Sequence, residues 1–187
     1  MYNSLYIEEK RAMEIWDIYD NNRQKTNRTM VRGTPFNKGD YITVIHGCIF
    51  NSKNEMLIQQ RQSTKNGWPN MWDVTVGGSA VHNETSSEAF VRELYEELGI
   101  IVENNNLRPH ITINFENGFD DFYLIEKEVN LEDVKLQYEE VQAVKWATQE
   151  EILELLENNK FVPYQTHFIP FLFVLRNQKN IFETLKK

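Results

Sequence analysis

Apolar and polar positions change rhythm along the chain, and the changes mark its elements. Glu14–Tyr19 and Lys25–Val31 read as two strands joined by a turn at Asp20-Asn21-Asn22. Thr34–Asp40 is a loop with Pro35 and Gly39. Tyr41–Phe50 is a mostly apolar strand, Asn51–Asn54 a turn, and Glu55–Gln62 the partner strand of a hairpin. A polar loop, Ser63–Asn70, leads to a short strand at Met71–Val76. The rhythm then becomes helical. Phe90, Leu94 and Leu98 recur at i, i+4 and i+8, the spacing of one buried helical stripe. Thr85-x-x-Glu88 is a capping-box pattern that starts this helix near Thr85 or Ser86, and Gly99 ends it.

Strands return at Ile111–Phe115 and Phe119–Lys127, around Asn117-Gly118, and at Ala143–Trp146. Thr148–Asn158 has a helical pattern with Thr148 as N-cap and Glu151 closing a second capping box. Gln165–Leu185 predicts a last helix, broken or bent near Pro170. Strands mixed with a few helices place the chain in the α+β class, a mixed sheet between helices.

Composition narrows the functions. A length of 187 residues predicts one domain, 1–187, and 41% hydrophobic content suffices for a packed core. The net charge of −8 comes without a basic block, which argues against sequence-independent nucleic-acid binding. It also does not attract an anionic substrate, so a divalent metal has to supply that attraction. One cysteine, Cys48, allows no intrachain disulfide and suits a reducing, cytoplasmic setting. Its apolar surroundings, Val44–Phe50, mark it as core rather than nucleophile. MYNSLYIEEKRAM has no apolar signal region. The longest apolar run, Phe168–Leu175, is too short to span a bilayer and contains Pro170, so no membrane association is expected.

The helix after Thr85 carries the chemistry. Glu93, Glu96 and Glu97 lie three and four residues apart and project together. Three carboxylates this close repel one another, and hard oxygen-seeking cations, Mg²⁺ or Mn²⁺, relieve the repulsion. Arg92 is spaced to pair with Glu88 one turn earlier or with Glu84 in the preceding loop. A merely solvated acidic face is the usual meaning of such a helix. The glycines, Glu84 and Arg92 at their particular spacings weigh against it here. Gly77-Gly78 lets the backbone approach a ligand closely, or is a plain turn.

Taken together, Gly78, Glu84, Arg92-Glu93-Leu94, Glu96-Glu97 and Gly99-Ile100 match the Nudix box in full. The chain therefore resembles Nudix hydrolases, which cut diphosphates linked to another group with Mg²⁺. The resemblance covers roughly residues 14–160 and implies a Nudix-type α/β/α sandwich with a mixed β-sheet. It implies that the Gly77 carbonyl, Glu96 and Glu97 bind metal, and that Glu93 binds metal or orients the attacking water. Arg92 and Glu84 would support them, with Gly78 and Gly99 as structural members of the box. The catalytic core would span about 41–160. The N-terminal hairpin (about 14–32) and the C-terminal helix (about 165–185) lie outside the box and are candidate homodimer surfaces.

FNSKNEMLIQQRQSTKNGWPNMWDVTVGG further resembles the isopentenyl-diphosphate isomerase-like branch of the superfamily. There a basic pair ahead of Trp-Pro contacts the substrate diphosphate. The matching residues are Arg61 and Lys65, before Trp68-Pro69; solvated charges at a strand end are the plainer alternative. The isomerase chemistry does not follow. That pattern needs a cysteine where Gly77 stands, a histidine at Ser79 and another near Ile42.

Many Nudix enzymes also draw a carboxylate from beyond the box. Glu140 ranks first for metal binding by position, with Glu139, Glu116, Asp120 and Asp121 as rivals. His46, His82, His110 and His167 do not cluster in sequence; His82, in the box loop, is a candidate phosphate or water contact. Trp68, Trp72, Phe119 and Phe122 are stacking candidates or packing residues. The expected function is Mg²⁺-dependent hydrolysis of a nucleoside diphosphate linked to another moiety, or of a related small diphosphate. The alternatives are an isomerase-like enzyme and a nucleotide-binding Nudix domain without turnover.

Overall fold

The computed structural model describes residues 14–177. Residues 178–185 of the expected last helix lie outside them, as does the stretch before Glu14. In chain order the strands are β1 (Ile15–Tyr19), β2 (Lys25–Val31), β3 (Ile42–Phe50), β4 (Met56–Arg61), β5 (Trp72–Asp73), β6 (Val76–Ser79), β7 (Ile111–Phe115), β8 (Gly118–Glu126) and β9 (Val141–Ala147). The α-helices are α1 (Ser86–Leu98), α2 (Gln149–Glu157) and α3 (Phe168–Leu175). The described residues form two compact units, one of 14–47 with Val76–Tyr123, the other of Cys48–Thr75 with 124–177.

In the first unit β1 and β2 form the antiparallel hairpin, with Ile15 opposite Val31 and Trp16 opposite Met30. The hairpin is tied on by Tyr19 and Tyr41, which exchange backbone hydrogen bonds of 2.7 and 3.1 Å. β3 runs antiparallel to β6, and its register puts Ile45 opposite Gly78 and His46 opposite Gly77. α1 buries Ala89, Phe90, Leu94 and Leu98, the expected stripe plus one small residue. Phe90 stacks on Tyr123 with ring centroids 4.8 Å apart. A Cβ on Gly47 would fall 2.3 Å from the Phe90 ring, so only glycine lets α1 settle this close to β3. Both halves of the α1 capping box form: Thr85 Oγ1 accepts from Glu88 N and Glu88 Oε2 accepts from Thr85 N. Such a cap contributes about 1 kcal/mol. Gly99 closes the helix at φ 68°, its N–H reaching the carbonyls of Leu94 and Tyr95.

In the second unit β4 pairs antiparallel with β9 from Met56–Ala147 through Gln60–Ala143. It also pairs with β5, and the last residues of β3 pair with Leu57 and Met56. Phe50, Met56, Leu57, Ile58, Phe161 and Leu172 are fully buried there. Cys48 is buried too, and burial pushes its thiol well above the ordinary range, as suits a core residue.

Three expectations change. The single strand at Met71–Val76 is two strands, β5 and β6, separated at Val74-Thr75. The Thr75 hydroxyl accepts from Ile49 N and donates to the Leu57 carbonyl, replacing ladder contacts with a side chain. The last helix starts at Phe168 rather than Gln165 and is not broken at Pro170. Pro170 sits in its first turn, where a missing N–H removes no helical hydrogen bond. β9 is also longer than its expected core, Ala143–Trp146.

Candidate metal and catalytic site

The box residues all belong to the first unit, on β6, α1 and the loop between them. Successive strand residues face opposite ways, and the two glycines of β6 use this. A Cβ on Gly78 would lie 2.4 Å from both Cδ and Oε1 of Glu93, so the Glu93 carboxylate rests on bare glycine backbone. A Cβ on Gly77 would instead meet His46 Nδ1 at 3.2 Å. Both glycines lie in a strand rather than a turn, and Gly78 leaves room for the Glu93 side chain.

Arg92 organises the acids. It grips Glu84 with two donors, Nε to Oε1 at 2.8 Å and Nη2 to Oε2 at 2.9 Å. Its Nη1 reaches Glu93 Oε1 at 2.9 Å and Glu96 Oε2 at 3.0 Å. Nη2 also donates to the Ser79 carbonyl at 3.2 Å, joining helix, loop and β6. Glu84 was one of its two expected partners. Glu88 is not a partner, because its carboxylate closes the helix cap.

Burial pushes the Glu93 carboxyl up from its ordinary value, with Glu96 and Glu14 adding to the rise and Arg92 opposing it. Burial works against the charge of Arg92 too, but Glu84 and Glu93 outweigh it and hold the guanidinium protonated. Glu97 is buried, at 5% exposure, and Glu96 half-exposed.

Among the described residues no three His, Cys, Asp or Glu side chains converge on one point as a metal-holding group. The donor set nevertheless fits a hard divalent cation. Three carboxylates on one guanidinium leave two negative charges in excess when all are ionised. All offer oxygen, the ligand that Mg²⁺ and Mn²⁺ take.

Other predicted side chains divide. Asp120 lies 3.1 Å from His46 Nε2, whose ring stacks on buried Phe122. Asp121 is fully buried and bonded to Arg23, Ser86 and Thr112. Phe119 is core, and Glu116 is exposed. His82 Nδ1 lies 2.7 Å from Asp17, a partner the sequence reading missed. The signal was available: Asp17 is a carboxylate inside the apolar strand Ile15-Trp16-Asp17-Ile18.

Arg61, Lys65 and Glu140 belong to the second unit. Arg61 donates through Nε to the Gly67 carbonyl at 3.0 Å and through Nη1 to Asp73 at 3.3 Å. Lys65 pairs with Glu140, which is buried. Glu139 is half-buried. Trp72 carries the Lys145 ammonium 5.0 Å from its ring centroid. Trp68 stands 51% exposed at φ 47°, a backbone region that bulky residues avoid.

The fold is that of a Nudix-type α+β protein, a mixed sheet with a few helices. It matches the crystal structure of DR0079 from Deinococcus radiodurans with a TM-score of 0.70 at 21% identity, over 85% of this chain and 99% of that one. The family model for the NUDIX domain matches residues 41–170. An uncharacterized Nudix hydrolase of Listeria monocytogenes is 44% identical over 90% of this chain and 99% of its own length. An isopentenyl-diphosphate Δ-isomerase of Photorhabdus laumondii is 37% identical over 42% of the chain and 43% of its own. This chain belongs to the Nudix hydrolase family, the Nudix pyrophosphohydrolases, whose members generally use divalent metals.

Proposed function

We propose that this protein hydrolyses the diphosphate linkage of a nucleoside diphosphate joined to another moiety, or of a related small diphosphate, with Mg²⁺. The observation that carries the reading is the excess of carboxylate over cation where α1 meets Gly78. Glu93, Glu96 and Glu97, with the Gly77 carbonyl, are the groups that would hold the metal. Bound there, Mg²⁺ would lower the pKa of water and offset the charge of the phosphates.

The chain's own residues do the rest. Arg92 keeps the acids gathered and Glu84 anchors Arg92 to the loop. Glu93, seated on Gly78, orients the water or accepts its proton. Arg61 and Lys65 arrive paired, so their first task is to hold the loop between β4 and β5. On this reading, contact with a diphosphate exchanges a carboxylate partner for a phosphate, and Glu140 is the carboxylate released. The chain then acts as one Nudix domain.

The isomerase reading is weaker, because Gly77 and Ser79 supply neither the thiol nor the imidazole that its pattern needs. The test is a panel of ADP-ribose, NADH, nucleotide sugars, CoA, dinucleoside polyphosphates, nucleoside triphosphates and isopentenyl diphosphate, with and without Mg²⁺. Metal-dependent phosphate products that Glu97→Gln abolishes support the proposal. Turnover that survives Glu96→Gln and Glu97→Gln, or isomer without phosphate release, overturns it.

A further inference from the structure

The hairpin β1–β2 lies outside the segment matched by the family model, which begins at residue 41. Its groups nevertheless hold the box loop. Asp17 is 3% exposed. Its carboxylate faces His82 Nδ1 at 2.7 Å, accepts from the Asn83 backbone N–H at 2.8 Å and pairs with Lys25 at 2.6 Å. Lys25 also donates to Asn83 Oδ1 at 3.2 Å, and the Ile15 carbonyl accepts from His82 N at 2.8 Å. Asn83 is held at φ 65°, the left-handed region that asparagine tolerates. The next residue is Glu84, the two-point anchor of Arg92.

A second tie comes from the hairpin turn. Arg23 pairs with buried Asp121, which also accepts from the hydroxyl of Ser86, the first residue of α1. Tyr123 OH donates to the same Ser86 at 2.9 Å. A buried carboxylate is costly unless it is paired. Of the partners of Asp17, Lys25 alone lies within the hairpin; the other two are consecutive residues of the box loop. An isolated two-stranded hairpin is itself only marginally stable, so its seat on this loop is part of what keeps it folded.

We propose that the N-terminal hairpin is an intramolecular brace of the box loop, with Asp17 as the positioning residue that fixes His82 and Asn83 and, through Glu84, Arg92. Asp17 touches no reacting atom; it acts by setting where the box acids stand. The activity arm of the test rests on the hydrolase reading above, while the exchange arm does not.

The experiment compares full-length wild type, Asp17→Ala, Asp17→Asn and Arg28→Ala. The last variant breaks another hairpin bond, Arg28 to Asp40, remote in sequence from the box loop. Hydrogen exchange at the amides of residues 82–84 is expected to rise about tenfold in Asp17→Ala, with the α1 amides unchanged. With a substrate found by the panel, kcat should fall about tenfold at nearly constant KM, the scale expected when catalytic groups are slightly misplaced. Asp17→Asn, which keeps an acceptor, should fall between. Arg28→Ala should lower the melting temperature yet leave loop exchange and kcat at wild-type values. Unchanged exchange at 82–84 in Asp17→Ala overturns the brace. So does a matching loss in Arg28→Ala, which would make Asp17 a contributor to general stability only.

Discussion

The box site of the first unit and the basic pair of the second treat charge in opposite ways. In the first, one guanidinium, Arg92, serves Glu84, Glu93 and Glu96. In the second, each cation of the predicted basic pair has its own acid, Arg61 with Asp73 and Lys65 with Glu140. A balanced buried pair is an architectural device, and an apolar pair of similar volume often replaces it without loss. An unbalanced cluster costs stability, because like charges repel in a partly dry setting. On the proposed reading the unbalanced cluster awaits a metal, while the paired cations first hold their own loop.

The sharpest way to break the comparison is Glu97→Gln. Removing a proposed metal ligand should lower kcat/KM by at least about a hundredfold, the upper end of what outer-shell partners of metal ligands cost. Activity should fall far more than the melting temperature does. A large drop in melting temperature with activity retained would make the box charge architectural. Lys65→Met probes the balanced side. It leaves Glu140 buried without its ammonium and should destabilise by about 3 kcal/mol. Lys65→Met with Glu140→Leu should recover most of that in chemical denaturation, which failure to recover would contradict. Gly78→Ala pushes a methyl into the Glu93 carboxylate. Overpacking of this kind costs about 1–3 kcal/mol, and kcat should fall about tenfold through misplacement.

The smallest effect is in pH. The folded state holds the Glu93 proton more tightly than the unfolded chain does. Metal-free stability from this group is therefore greatest at low pH and falls as pH rises past the ordinary carboxylate value and through the raised one. Mn²⁺ or Mg²⁺ should thus raise the melting temperature by a few degrees more at pH 8 than at pH 5, on the scale of about one kcal/mol per unit of pKa shift. Asp17 runs the other way. Burial would raise its carboxyl, but Lys25, His82 and Asn83 together hold it below the ordinary value. Its contribution is present above that value and lost as pH falls through the lowered one. The melting difference between wild type and Asp17→Asn should accordingly vanish in acid.

The box helix was legible in the sequence because its signals are local. Thr85, Glu88 and Gly99 mark its ends within fifteen residues, and both capping boxes form where their patterns predict. The hairpin ends were legible for the same reason. Ambiguity entered where two local rules compete for one side chain: Glu88 sits one turn before Arg92 but also three residues after Thr85, and the cap wins. Long-range pairings were not legible. Lys65 and Glu140 are 75 residues apart, Arg23 and Asp121 98. No periodicity encodes such distances; what the sequence offers is a charged residue among apolar neighbours, as at Asp17. The split at Val74-Thr75 was hidden because a threonine hydroxyl standing in for ladder hydrogen bonds looks like any other strand threonine.

The hairpin has a practical consequence for how a protein of this kind is made. Trimming the chain to the family-matched segment, 41–170, keeps every box residue and discards Ile15, Asp17, Arg23 and Lys25. Such a fragment would carry an intact signature on an unbraced loop. In a substrate screen it would register weak or silent turnover, and the silence would be charged to the wrong substrates rather than to the missing first forty residues.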